Sequence, residues 1–297
     1  IESFTILKDA SETAQYGSRG AAGVIEVATK KGRQSQFHIS YDGTVGFESV
    51  YKRMDMLHAD QIRQAASALG LSYIDKGADT DFSKSIERTG FVQNHHIAFG
   101  GGSETANYRA SVGMMDHRTV IPTNNYRTYI AKLDLTQKAF DNHLTVDLGV
   151  FGSLQKNNVQ PFMQKLIYSA QAFNPTFPEG ANADGSFNQV AEAIWISNPN
   201  ALLQMNQDED NGHVNIHLSA TLRLLENLKL KAFGSYSYNT VNNAHYYPTF
   251  TWSHGEAYRG NDKNEETLGN ISIDYTIKWQ QSSLNLMALA EAQKEKR

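Results

Sequence analysis

The feature that most constrains the fold of this chain is a strict alternation of apolar and polar side chains within long segments. In the clearest of them Val214, Ile216, Leu218, Ala220, Leu222 and Leu224 alternate with Asn215, His217, Ser219, Thr221 and Arg223. Successive side chains of a β-strand point to opposite faces, so this pattern predicts a strand with one apolar and one polar face. Segments 144–150, 228–238 and 271–279 show the same pattern.

With weaker segments included, the pattern predicts about nine strands. They lie at residues 35–48, 93–101, 106–116, 126–137, 142–155, 213–225, 227–240, 266–279 and 282–293. Many exceed the roughly five or six residues of a soluble strand and suit the roughly 9 to 11 residues that a tilted strand needs to cross a bilayer. This length favours strands that span a membrane.

The connections between these strands support the same interpretation. Tight turns alternate with longer connections, and all 6 prolines fall in the longer ones. They are Pro122, Pro161, Pro175, Pro178, Pro199 and Pro248. Outer-membrane barrels combine short turns on one side with long loops on the other, and central strands exclude proline. We therefore predict an outer-membrane type of sheet, with a soluble β-sandwich as the alternative.

Composition excludes several other classes of protein. Mean hydropathy is −0.48, and no run of about 18 apolar residues predicts a transmembrane helix. The net charge is −4, from 27 basic and 31 acidic residues, which argues against a nucleic-acid binder. The chain has 0 cysteines and therefore neither a disulfide framework nor a thiolate metal site.

No catalytic or cofactor motif is present in the sequence. HExxH, Gly-x-Ser-x-Gly and P-loop patterns are all missing, so we predict neither an enzyme nor a cofactor. The acidic run from Asp208 to Gly212 is similar to the start of a calcium loop, but its glycine comes at the fifth position and no glutamate follows at the twelfth. We favour a solvated loop here over a calcium site and predict no metal ligands.

The run from Leu7 to Gly32 has a different character from the strands that follow it. Asp9, with Glu12 three residues later, predicts a capped short helix, and Gly17 suits the left-handed position that ends one. Gly20 and Gly23 then permit close backbone approach before an extended stretch at 24–29. The glycine spacing also occurs in phosphate loops, but those place the helix after the glycines. We therefore predict a structural turn.

This run resembles the closing part of the plug domain in TonB-dependent outer-membrane receptors of the SusC/RagA type. The residues that match the family pattern are Leu7, Lys8, Asp9, Ala10, Tyr16, Gly17, Ser18, Arg19, Gly20, Gly23, Val24, Ile25, Thr29, Lys30 and Gly32. Residues 41–66 are similar to the family's first barrel strand and the helix-bearing loop after it. Residues 93–116 are similar to its next hairpin.

The resemblance implies an all-β fold, the N-terminal portion of a large antiparallel transmembrane barrel. Residues 1–32 would be the C-terminal part of the plug and residues 33–297 the N-terminal part of the barrel. Barrels of this size have about 22 strands, so the chain is expected to be a fragment. Asp9, Tyr16, Gly17, Ser18, Arg19, Gly20 and Gly23 would form the structural plug motif.

The resemblance also implies a function, namely energised uptake of an oligosaccharide or a peptide across the outer membrane of a Bacteroidetes-type bacterium. A SusD-like surface lipoprotein would be one partner, and TonB, acting through a segment upstream of Ile1, the other. Five aromatic residues that we place in outer loops are ligand-stacking candidates, with loop packing as the alternative: Trp195, Tyr246, Tyr247, Trp252 and Tyr258. The alternative function is a non-transporting surface β-sheet module that binds ligands. Residues 57–69 are predicted to form an amphipathic helix, whose apolar side carries Leu57, Ile62, Ala65, Ala66 and Leu69.

Overall fold

Nine antiparallel strands form one continuous sheet in the computed structural model of the chain, which describes residues 2–9, 13, 16, 20–190, 195–249, 255–280 and 282–297. Each strand pairs with the next along the sequence, so the sheet is a meander without crossovers. Its strands are β3 (Ser35–Glu48), β4 (Gly90–Gly102), β5 (Ala106–Arg118), β6 (Asn125–Ala139), β7 (Leu144–Asn158), β8 (Asn206–Leu225), β9 (Leu228–Tyr247), β10 (Glu256–Trp279) and β11 (Ser282–Lys296). The predicted all-β fold and its nine strands are confirmed.

A separate hairpin precedes this sheet. Strand β1 (Ser3–Leu7) pairs antiparallel with β2 (Val24–Ala28). The short helix predicted between them lies mostly outside the described residues, although the Thr13 amide donates a helix-type hydrogen bond of 3.0 Å to the Asp9 carbonyl. Gly23 has a φ of 92°, a left-handed conformation that glycine adopts without strain.

Strands β8, β9 and β10 are much longer than the sequence pattern predicts. Asp208 to Gly212 lie within β8, so the prediction of a solvated loop there is wrong. A calcium loop is not formed either, because the run is extended within β8. The Asp208 carboxylate accepts hydrogen bonds of 2.7 and 2.9 Å from the amides of Asn158 and Asn206. Because β9 and β10 are longer than predicted, the connection between them is only residues 248–255. Backbone pairing continues through polar sequence because the hydrogen-bond ladder needs no apolar side chain.

The sheet has two chemically different faces. In the register, Leu148 on β7 lies opposite Leu218 on β8 and Leu135 on β6, whereas its neighbour Asp147 lies opposite Ser219 and Thr136. We call the first side the apolar face and the second the polar face. The apolar face remains open, with Ile216 exposed by 42% and Leu218 by 52%. A contiguous apolar surface of this extent is unusual for a water-soluble protein.

The buried core of the molecule lies in the connections at one end of the sheet rather than in the sheet. The helices found there among the described residues are α1 (Ala59–Leu69), α2 (Phe82–Ser85), α3 (Met163–Ala172) and α4 (Pro199–Leu202). Together with the described residues of 49–89, 119–124 and 159–205 they form what we call the loop cluster. One of its two hydrophobic cores contains Ile86, Ile121, Leu166, Ala170, Leu202, Met205 and Tyr247, and the other contains Phe82, Phe173 and Phe177.

Helix α1 confirms the helix predicted over residues 57–69, but its packed side is narrower than the sequence pattern indicates. Ala59 and Ala66 are buried, whereas Leu57 and Leu69 are exposed by 58% and 70%. Ala65 is exposed as well, so three of the five residues expected on the packed side point outward. Among the described residues, no helix is long and apolar enough to cross a membrane.

Candidate functional site

The stretch after β2 lies against the polar face of the sheet. The Lys31 ammonium is 3.6 Å from the Asp147 carboxylate on β7, and the Lys132 ammonium on β6 donates a 2.5 Å hydrogen bond to the Thr29 hydroxyl. Lys132 also pairs with Asp134 at 2.9 Å. Charged groups of the polar face therefore hold residues 29–32 against the wall of the sheet.

Gly32 makes the closest backbone approach in this contact. A Cβ atom at position 32 would lie 2.6 Å from the backbone nitrogen of Tyr108 on β5. Gly20 is restricted in the same way, because its Cβ atom would lie 2.6 Å from the Thr13 carbonyl oxygen. Of the remaining predicted motif residues, Asp9, Tyr16 and Gly23 are described, and Gly17, Ser18 and Arg19 lie outside the described residues. The role of the motif as a whole stays a prediction.

We expect Gly32→Ala to loosen residues 29–34 from the sheet, because the added methyl group collides with backbone that cannot move aside. Overpacking of this kind typically costs about 1 to 3 kcal/mol. Hydrogen exchange of residues 24–34 measures the effect, and faster exchange is expected. Gly234→Ala is the matched control, since nothing lies within 4 Å of a Cβ atom there. Equal exchange in the two variants would contradict the contact.

The aromatic candidates are placed differently from the sequence prediction. Tyr246 and Tyr247 end β9 and Tyr258 lies in β10, so their placement in outer loops is wrong because these strands extend further. Trp195 lies in the long connection between β7 and β8 and is exposed by 63%. Trp252 falls outside the described residues.

Two of these candidates are brought together around a histidine that the sequence analysis missed. The His245 ring stacks on Tyr247, with centroids 4.5 Å apart, and on Tyr258, with centroids 5.3 Å apart. The His245 Nε2 atom is 2.8 Å from a carboxylate oxygen of Glu256. The sequence could have indicated His245 as a neighbour of Tyr247, because residues two apart in a strand lie on the same face.

These residues differ in how they can meet a ligand. Tyr247 is only 8% exposed and packs against Phe162 at 5.5 Å, so it serves the loop cluster. Tyr258 is 54% exposed and presents a ring face beside the His245–Glu256 pair. Tyr246 points to the opposite face of β9. Of the four candidates that the structure describes, Tyr258 has the geometry best suited to stacking on a planar or sugar ligand.

A groove of about 760 Å³ runs between the β3–β4 connection, residues 49–89, and the β7–β8 connection, residues 159–205. Residues 53–58 form one side and residues 170–175 the other, and residues 61–62 and 80–83 complete the lining. Arg53 is held there by Glu87, with the Nε atom 2.8 Å from a carboxylate oxygen. The exposed side chains of Met54 and Leu57 lie at its edge. Sequence reasoning missed this groove because its two sides are more than a hundred residues apart.

An ion pair fixes the loop that follows α1. The Arg63 guanidinium donates to both carboxylate oxygens of Asp75, at 2.8 and 3.1 Å, and the Gly77 amide donates to the same carboxylate at 2.8 Å. These bonds, chiefly that from Arg63, hold the pKa of Asp75 well below its usual range. The contact therefore joins the middle of α1 to residues 75–78.

We expect the order of residues 71–79 to depend on pH in one direction. A carboxylate with a lowered pKa stabilises the folded state above its ordinary pKa of about 4, and this contribution is lost as the pH falls through the lowered value. Hydrogen-exchange protection factors should be constant at neutral pH and should decrease on strong acidification. Arg63→Gln should reduce protection at neutral pH, whereas Lys76→Gln, a change of an exposed neighbour, should not. Equal protection in the two variants would contradict the role of this pair.

The described residues contain no group of three or more His, Asp or Glu side chains placed to hold a metal ion. The sites that the structure does assemble are the groove, the stack around His245, and the contact at residues 29–32. The groove and the stack around His245 can bind a polar ligand at the loop end of the sheet. The contact at residues 29–32 holds that segment against the polar face.

Comparison with known proteins gives consistent relatives. TonB-dependent receptor SusC of Bacteroides thetaiotaomicron is 35% identical over 209 residues, which cover 67% of this chain and 21% of that protein. TonB-dependent receptor P3 of Formosa agariphila is 32% identical over 256 residues, which cover 81% of this chain and 25% of that protein. No family model matches the chain.

The fold is shared with solved structures. The structure titled "Structure of the RagAB peptide transporter" aligns with a TM-score of 0.77 and 17% identity, over 98% of this chain and 38% of that chain. The same importer in its closed-closed state aligns with a TM-score of 0.75. The chain thus spans 21% and 25% of the length of the two curated relatives.

Proposed function

This chain belongs to the SusC/RagA-type TonB-dependent receptors, and from that premise we propose that it serves energised nutrient uptake across the bacterial outer membrane. The sheet is the N-terminal part of the barrel wall, residues 33–297, and residues 1–32 are the C-terminal part of the plug. The observation that carries this proposal is the two-faced sheet whose polar face contacts residues 29–32 while its apolar face stays open.

The two faces suit opposite surroundings. Lipid-facing positions of a barrel are apolar, and a Lys or Arg at mid-bilayer costs about 2 to 4 kcal/mol. The central positions of the apolar face on β8 are Val214, Ile216, Leu218, Ala220 and Leu222, without a charge among them. The polar face carries Lys132, Asp134 and Asp147, which suit a water-filled lumen with a plug.

The partners and the substrate are proposed by analogy with the family. A SusD-like surface lipoprotein closes over the loop cluster, and TonB acts on the plug through a segment upstream of Ile1. The ligand is an oligosaccharide or a peptide. The groove between residues 53–58 and 170–175 offers a binding surface to an extended ligand, and Tyr258 offers a ring face.

Two measurements test this function. Cells that express the receptor containing this chain are given fluorescently labelled oligosaccharides and oligopeptides, and accumulation that requires TonB is expected for one of the two classes. Accumulation of neither class would contradict the proposal.

The second measurement tests the role of residues 29–32 as part of the plug. A Lys31→Cys, Asp147→Cys pair joined by a short thiol-specific crosslinker should stop uptake while the amount of receptor at the surface stays constant. The matched control is Lys31→Cys alone with the same reagent, which should leave uptake intact. Undiminished uptake in the crosslinked receptor would contradict a plug that must leave the wall.

A further inference from the structure

A row of four charged side chains crosses the apolar face near its loop end. Asp116 on β5, Arg127 on β6, Lys156 on β7 and Asp210 on β8 lie directly opposite one another in consecutive pairs of the register. We call these residues the charged row. The charged row interrupts the apolar face. The adjacent positions of that face, on the side of the short turns, are Met114, Tyr129 and Leu154. Tyr129, exposed by 40%, is the kind of residue found at the border between lipid tails and headgroups.

The centre of the charged row holds two like charges opposite each other. Arg127 and Lys156 are direct cross-strand partners, and both residues are exposed. Directly opposed side chains of a strand pair lie about 4.5 to 5.5 Å apart at their Cβ atoms, and like charges there destabilise the pair. An anion bound between the two cations would convert this repulsion into two attractive contacts.

The acidic ends of the row also have unused capacity. Asp116 is 5% exposed, with its carboxylate 3.3 Å from the Arg118 guanidinium and 3.7 Å from that of Arg127. Its Oδ1 atom nevertheless has no hydrogen-bond donor among the described residues. Lys156 and Asp210 likewise form no ion pair with any residue that the structure describes. The row therefore has unsatisfied groups of both signs.

These side chains line one concave patch of about 410 Å³. Asn125, Asn157, Asn158 and Asp208 complete its lining. A patch of this volume accommodates a small polar group. The patch opens on the side of the sheet that continues into the apolar face.

We propose that the charged row binds the headgroup of a membrane lipid that carries both a phosphate and a primary ammonium group, as phosphoethanolamine does. The phosphate lies between Arg127 and Lys156, and the ammonium group lies against Asp210. Asp208, the third acid of the patch, already accepts hydrogen bonds from Asn158 and Asn206. The two acids and two bases of the charged row therefore match a zwitterion rather than an anion alone. The acyl chains then continue over Tyr129 and Leu154. This proposal rests on the membrane insertion proposed above but not on transport.

The test uses the receptor containing this chain, reconstituted in nanodiscs of phosphatidylcholine with either phosphatidylethanolamine or phosphatidylglycerol of the same acyl chains. Native mass spectrometry counts the lipids that stay bound on release, and the wild type is expected to retain more phosphatidylethanolamine than phosphatidylglycerol. Because each lost charged hydrogen bond weakens binding by about tenfold, the double variant Arg127→Gln, Lys156→Gln should lose retention of both lipids. Asp210→Asn should reduce phosphatidylethanolamine retention to the level of phosphatidylglycerol.

Arg259→Gln is the matched control. Arg259 is exposed on the same face, opposite Ala244 rather than another cation, and this change should leave retention unaltered. Equal loss in the control would show general attraction of lipids to cations and would overturn the proposal. Unchanged retention in the double variant, or an Asp210→Asn variant that still prefers phosphatidylethanolamine, would do the same. A receptor that does not enter the bilayer would contradict the proposed insertion, and with it this proposal.

Discussion

Leu218→Arg is expected to keep most of the receptor out of the membrane in its folded form. Leu218 is the middle of the five alternating apolar positions from Val214 to Leu222 on β8, and it is exposed by 52% on the open apolar face. A guanidinium at the centre of a bilayer costs about 2 to 4 kcal/mol on the outside of a barrel. The folded fraction in outer membranes, measured by its resistance to unfolding in detergent before heating, should decrease strongly.

The matched control for this change is Ser235→Arg. Ser235 lies on the neighbouring strand, opposite His217 on the polar face, so the same new charge meets a polar lumen rather than lipid. We expect the folded fraction of this variant to stay close to that of the wild type. If both variants insert equally well, the apolar face does not face lipid, and the assignment of the two faces is wrong.

Phe177→Ala is expected to have the largest effect outside the membrane. Phe177 is 1% exposed and contacts Phe173 edge to face, with ring centroids 5.5 Å apart. Its carbonyl accepts a 2.7 Å hydrogen bond from the Thr80 hydroxyl, so it joins the β7–β8 connection to the β3–β4 connection. Replacing a buried phenylalanine by alanine typically costs about 3 to 5 kcal/mol, and the small core around Phe177 has few other contacts to compensate.

Hydrogen exchange separates this loss from global unfolding. Protection should decrease in residues 74–86 and 163–177, while strands β5 to β9 keep theirs, because the backbone bonds of the sheet do not depend on the loop cluster. Ile167→Ala, which changes a side chain that is 44% exposed on α3, should leave protection unaltered. Unchanged protection in Phe177→Ala would contradict a core in the loop cluster.

The sheet was predictable from the sequence because its constraint is local. Alternation with a period of two decides which face each side chain takes, so the strand around Leu218 and its apolar side could be identified from a dozen residues. The ends of β8, β9 and β10 were not predictable in this way. Residues 206–211 are polar on both faces, and only pairing with β7 and β9 shows that they are extended.

The candidate site was less predictable because it depends on distant contacts. Nothing near Tyr247 in the sequence shows that Phe162 packs on it, and nothing near Asp75 shows that Arg63 of α1 binds it. The aromatic residues were identified by type, but their placement required the lengths of two strands. Gly32 is one of the residues that match the family pattern, but only the structure shows its close approach to Tyr108.

The measurement that tests the central claim most directly is spin-label accessibility along β8 in the membrane-inserted receptor. The chain has 0 cysteines, so a cysteine substituted at each position from 214 to 218 in turn is the single labelling site within this chain. We predict that positions 214, 216 and 218 are accessible to oxygen dissolved in lipid, and that 215 and 217 are accessible to a water-soluble nickel complex. Equal access of the nickel complex to all five positions would contradict a lipid-facing wall and would favour a surface ligand-binding module instead.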